Sequence, residues 1–151
     1  MFEGGGGAGG YISTVDGENS GGGTASNKYY AITGTNYVVS IGSGGTGGAY
    51  NPSTTATRGT DTYFGSLLAV GGGNGGNSGA TTIGERGGSG GGSSNSTAAE
   101  GTANQGFDSG TGAGTIYKPS GGGGAGSVGD NFSTGAGGDG GSGVLSSITG
   151  S

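Results

Sequence analysis

Apolar residues in this chain come in short bursts separated by glycine. The first, "KYYAITGTNYVVSI" (28–41), predicts a β-hairpin: "YYAI", a turn around Gly34-Thr35-Asn36, then "YVVSI". In the second arm Tyr37, Val39 and Ile41 alternate with Val38 and Ser40, the period-two pattern of a strand. "TYFGSLLAV" (62–70) predicts another strand that runs directly into glycine, while "TIYKP" (115–119) and "GVLSSIT" (143–149) carry weaker strand signals. No segment repeats its apolar residues at a spacing of 3.6, so the class is all-β or otherwise non-helical. "NPSTTATRGTD" (51–61) and "SSNSTAAEGTANQGFDSG" (93–110) read as polar loops.

A second period lies between the bursts. In "GSGGTGGA" (42–49) the non-glycines are Ser43, Thr46 and Ala49; in "GGGNGGNSGA" (71–80) they are Asn74, Asn77 and Ala80, with Ser78 out of phase. In "GAGGDGGSG" (135–143) they are Ala136, Asp139 and Ser142. The runs at 4–11, 87–92 and 121–126 permit the same phase. Three residues per turn is the period of polyproline II, which rises about 3.1 Å per residue. A G-G-X run in that form has two bare faces, along which backbones can approach and exchange N–H···O=C bonds, with Cα–H···O contacts adding a smaller term. The expected fold is a bundle of polyglycine II helices packed with a few strands, the X residues facing outward. Flexible linkers are the alternative, and a phase kept across separate runs argues for order.

Composition sharpens this. Glycine supplies 48 of 151 residues, whereas Val, Ile, Leu and Phe together number 19, too few for an ordinary packed core. Nine acids against four bases leave a net charge of −5, small for a disordered chain and of the wrong sign for nucleic acid or an anionic membrane. With no cysteine and no histidine, neither thiolate metal sites nor a histidine base is available, and the serines have no partner to activate them. The expectation is therefore a non-enzyme with no cofactor. No run approaches the roughly 18 apolar residues of a membrane span.

Individual motifs carry little chemistry. "GSGGTG" (42–47) fits a dinucleotide fingerprint, but proline and no helical period follow it. "GGDGGSGVL" (137–145) has its aspartate at the wrong offset for a calcium-binding nonapeptide and no tandem copy. Asp16 and Glu18 read as a solvated acid pair. The triplets Asn95-Ser96-Thr97 and Asn131-Phe132-Ser133 fit N-glycosylation acceptors and mean little by themselves. Tyr29, Tyr30, Tyr37, Tyr50, Tyr63 and Phe64 read first as the largest apolar bodies available to a small core, and second as a stacking surface for sugars.

The order "YVVSIGSGGTGG" (37–48), "TYFGSLLAVGGGNGG" (62–76), "GERGGSGGG" (84–92) and "GGGGAGSVGDN" to "GAGGDGGSGVLSSITGS" (121–151) resembles the glycine-rich domain of bacteriophage tail fibres and adhesins. The resemblance covers roughly residues 28–151, and its last piece is the most specific, because "GVLSSITGS" is not forced by glycine content. It implies stacked polyglycine II helices at a fibre tip, with interconnecting loops that meet host surface receptors, either a cell-surface glycan or an outer-membrane protein. The chain then reads as a single glycine-rich domain over 1–151, or as a piece of a longer fibre protein, located in the virion or outside the cell. Rigid scaffolds place function on their loops. The receptor-contacting residues expected are Tyr50, Asn51, Arg58 and Asp61 in loop 50–61, and Asn95, Asn104, Gln105, Phe107 and Asp108 in loop 93–109.

Two other classes fit the pattern. A glycine stack with unpaired backbone edges templates addition of another chain as a sheet edge does, giving a self-assembling extracellular filament. A flat face of Ser43, Thr46 and Ala49 would suit ice binding, although the X positions are not a regular threonine array.

Overall fold

The computed structural model describes residues 4–25, 28–50, 53–76, 83–115 and 118–148. Its organising contact is the backbone hydrogen bond between glycine runs. In the run 87–92, successive N–H groups of Gly88, Ser89 and Gly90 donate to Gly71, Ala8 and Phe107, on three different segments, at 2.8, 2.8 and 3.0 Å. One turn later Gly92 returns to the segment that Ser89 reached, donating to Gly5 at 2.6 Å. The carbonyls keep the same period: Ser89 and Gly92 accept from Gly73 and Gly76. The run 70–76 is thus parallel to 87–92, and the run 4–10 antiparallel.

The run 119–126 repeats the pattern in every direction. Ser120 and Gly123 donate to Ser93 and Gly90, and Gly121 and Gly124 donate to Asp130 and Ser127. Its carbonyls at Pro119 and Gly122 accept from Gly138 and Gly141. None of the glycines in these runs has a positive φ; the described glycines that do lie in connections, such as Gly34, Gly65 and Gly135. One hand and a three-residue turn make these polyglycine II helices, stacked as the G-G-X phase predicts.

Close approach is what glycine supplies. A Cβ added at Gly90 would fall on the carbonyl oxygen of Ala99, and one at Gly121 on that of Asp139. The interior that results has almost no hydrocarbon. Among the described residues the buried apolar ones are Ala99 and Ala125, and the largest fully buried side chains are Ser89, Ser93 and Ser94. Other buried serines join the backbone network through their hydroxyls. Ser120 Oγ accepts from the Ser93 N–H (2.8 Å) and donates to the Gly110 carbonyl (2.7 Å). Ser109 Oγ does the same between Ala99 and Gly110.

The X residues of the outer runs face solvent as expected, since Ser43, Thr46, Ala136, Asp139 and Ser142 are all exposed. The inner runs differ. Ser89 is completely buried because other runs surround its own, and Asn74 is half-buried because its run is flanked by 4–10, 57–60 and 87–92. Asn77 lies outside the described residues.

The three-stranded sheet sits at one end of the bundle. β1 (Val39–Ser40), β4 (Thr62–Phe64) and β5 (Leu67–Ala69) form an antiparallel sheet in the order β1-β4-β5, with Val39 opposite Phe64 and Tyr63 opposite Leu68. β2 (Ala49–Tyr50) and β3 (Ser53–Thr54) make a separate small hairpin, inside a region the sequence marks as loop. The expected hairpin over 28–41 does not form: residues 28–38 join no ladder, and Val39–Ser40 pair instead with the distant segment 63–64. Tyr29 packs edge-on against Phe64 at 5.5 Å while Tyr37 stacks on the same ring at 5.5 Å, so the first arm contributes a ring rather than a strand. The expected strand over 62–70 is itself a hairpin, turned at Gly65 with φ 57°. Residues 143–148, and 115 and 118–119, lie in no strand.

Candidate attachment surface

Run directions decide which loops meet. Run 119–126 begins beside Ser93 and ends with the Ala125 carbonyl accepting from Gly22. Loop 93–97 therefore lies at one end of the bundle and residues 101–108 at the other. Run 42–48 leads away from β1, so Tyr50 also sits at the end remote from the sheet. Among the described residues, those expected to contact a receptor are thus split between two ends.

Several of them are occupied by the scaffold. Arg58 pairs with Asp61 at 3.0 Å, and the same Asp61 oxygen accepts from the Gly71 N–H at 2.9 Å, tying 57–61 to the run 70–76. Gln105 is a clamp: its Nε2 donates to the Leu68 carbonyl (2.8 Å), its Oε1 accepts from the Val70 N–H (2.7 Å), and its own carbonyl accepts from Tyr11. The Asn95 carbonyl accepts from Gly112 at 2.6 Å. Tyr50 contributes backbone to β2, and Asn51 lies outside the described residues.

Asn104, Phe107 and Asp108 do come together. With Gly22, Thr24, Gly101, Ala103, Gly106 and Val128 they line an open cleft of about 310 Å³ at the sheet end. The turn that presents them is held by Thr102, whose Oγ1 donates to the Gly87 carbonyl at 2.7 Å while its own carbonyl accepts from Gln105 and Gly106. Asn104 has φ 66°, a left-handed conformation that asparagine tolerates better than most residues. Its Oδ1 accepts from Thr24 Oγ1 at 2.7 Å, which leaves its amide N–H groups for a ligand. Asp108 Oδ1 accepts from the Gly101 N–H at 2.8 Å, which leaves Oδ2. A half-buried ring flanked by an amide donor and a carboxylate acceptor suits a polar, ring-shaped ligand such as a sugar.

Two features escape sequence reasoning. The first is Glu18, read as a solvated acid. It accepts from Ser13 Oγ, Ser146 Oγ, and both the backbone N–H (2.6 Å) and Oγ (2.8 Å) of Ser147. These donors, the Ser147 backbone foremost, hold its carboxyl down at about 2 from an ordinary 4.5. The second is the apolar surface around the sheet, where Tyr30, Ile32, Val38, Val39 and Ile41 are 59–83% exposed. Val38, which precedes β1, and Val39 within it are both bare, a pattern that suits a surface covered by a partner.

No curated protein and no solved structure matches the chain. A family model described as a glycine-rich domain matches residues 2–151. On that match, spanning nearly every residue, the chain belongs to the glycine-rich domain family.

Proposed function

We propose that this glycine-rich domain is a non-enzymatic attachment module of a bacteriophage tail fibre or adhesin, acting in the virion outside the cell. The observation that carries the reading is the juxtaposition of Asn104, Phe107 and Asp108 around one cleft on a scaffold whose runs are cross-bonded through their backbones. Its partner at that cleft is a host surface glycan, or a loop of an outer-membrane protein. The bare apolar surface beside the sheet at Ile32, Val38, Val39 and Ile41 suits docking to another fibre subunit. A rigid glycine lattice loses little entropy when its loops engage a receptor, which favours affinity.

Binding of the purified protein to envelope fractions of bacterial hosts tests this. A triple exchange of Asn104, Phe107 and Asp108 to alanine is expected to abolish binding. Exchange of Asn95, at the opposite end, is expected to leave it intact. Failure to bind any envelope fraction, or equal binding by the triple variant, refutes the attachment role.

A further inference from the structure

The bundle has an empty place and a bare ridge on opposite edges. Hydrogen bonds order the runs across it: 42–48 bonds to 57–60 through Thr60 and Ser43, 57–60 to 70–76 through Gly59 and Gly72, and 70–76 to 4–10 through Gly73 and Gly7. From there Ala8 reaches Gly123, and Gly122 reaches Gly141 on the last run, 136–143.

Between 4–10 and 42–48, floored by 57–60 and 70–76, runs an open groove of about 560 Å³. Its lining includes Gly6, Gly9, Gly44 and Gly47, each pair spaced by three. A Cβ at Gly44 or Gly47 would meet nothing within 4 Å, and one at Gly6 or Gly9 only an ordinary contact. The N–H groups of these four residues donate to no acceptor among the described residues. Asn74, also in the lining, has a buried Oδ1 with no hydrogen-bond partner. At the opposite edge, Gly137, Gly140 and Gly143 are exposed, and their N–H groups likewise donate to nothing described. A Cβ there would meet nothing closer than 3.6 Å.

We infer that the groove is a vacant lattice position that accepts run 136–143 of a second copy of this chain. Both elements have bare glycine faces of period three, unpaired backbone donors, and a length of roughly 20 Å at about 3.1 Å per residue. The incoming carbonyls would take the N–H groups of Gly44 and Gly47, which no acceptor among the described residues reaches. Because groove and ridge are different surfaces, the contact is heterologous and does not close on itself, so copies add in a row. The inference concerns the lattice edges alone and stands apart from receptor binding.

Sedimentation velocity over a concentration series, on the wild type, Gly44→Val and Gly140→Val, tests it. Both positions are free of close neighbours, so both variants are expected to fold and to melt no lower than the wild type. The wild type is expected to add copies as concentration rises, and each variant alone to weaken association at least about tenfold. Mixed in equal amounts, the two variants retain one intact groove and one intact ridge, and are expected to stop at dimers. A wild type that stays monomeric throughout overturns the inference, as do variants that assemble like the wild type. Loss of assembly in Gly44→Val but not in Gly140→Val overturns the assignment of run 136–143. Envelope binding is scored separately, so a monomer that still binds leaves the attachment reading standing.

Discussion

Gly90→Ala and Gly47→Ala differ from the parent by one methyl group each, yet opposite outcomes are expected. At Gly90 the new Cβ lands on the carbonyl oxygen of Ala99, with the Ser109 N–H just beyond it. An ordinary contact needs at least 3.4 Å, so the carbonyl must retreat by more than an ångström. That retreat breaks the Ser109 to Ala99 bond (2.9 Å) and strains the Gly90 to Phe107 bond (3.0 Å). Overpacking costs about 1–3 kcal/mol, and a buried donor left without its acceptor about 1–3 kcal/mol more. The sum, roughly 2–6 kcal/mol, is a large share of the 5–15 kcal/mol typical of a whole domain. At Gly47 the methyl meets nothing within 4 Å and φ is not positive, so the main effect is on the unfolded chain. Stabilisation of about 0.4–1 kcal/mol is expected there. With roughly 2–4 °C per kcal/mol for a chain this size, Gly47→Ala should raise Tm by about 1–4 °C and Gly90→Ala lower it by at least about 4 °C. Differential scanning calorimetry reads both. Equal and small effects at the two sites would mean that the glycine runs are linkers and would refute the lattice.

Three further outcomes follow from single contacts. The carboxyl of Glu18 is depressed on folding from 4.5 to about 2, so its contribution is full above the unfolded value and is lost as pH falls from about 4.5 towards 2. Melting over that window should show a fall in Tm that Glu18→Gln removes, together with faster proteolysis of the segment 144–148 in the variant. Ser89→Ala removes a fully buried hydroxyl that has no hydrogen-bond partner, and urea denaturation should show it more stable by about 1 kcal/mol. Gln105→Ala takes acceptor and donor from Val70 and Leu68, and should cost about 1–2 kcal/mol in the same assay while sparing β1–β4 pairing.

Local periodicity carried most of what was legible in the sequence. The three-residue phase of Ser43 and Thr46, or of Ala136, Asp139 and Ser142, is a property of one run, and these residues are exposed as that phase requires. What a run meets on its other sides is not local. Ser89 stands at an X position like the others, yet it is buried because its run is the one others surround. Strand pairing failed for the same reason: Val39 finds Phe64, 25 positions on, instead of the nearby "YYAI" arm. Polar loop residues were read as ligand contacts, but orphan backbone groups compete for them, and Asp61 and Gln105 are used that way. Glu18 reaches Ser147 across 129 positions, a separation at which no spacing rule operates. Asn104, Phe107 and Asp108 were legible as a short polar loop; their cleft partners Thr24 and Val128 were not.

The lattice is tested most directly by amide hydrogen exchange resolved for individual glycines. The N–H groups of Gly73, Gly90, Gly92 and Gly123 donate to neighbouring segments, whereas those of Gly6, Gly9, Gly44 and Gly47 have no described acceptor. Measured on dilute protein, the first group should exchange only through global or near-global opening, and the second at close to unfolded rates. Uniformly fast exchange at all eight glycines would contradict the account.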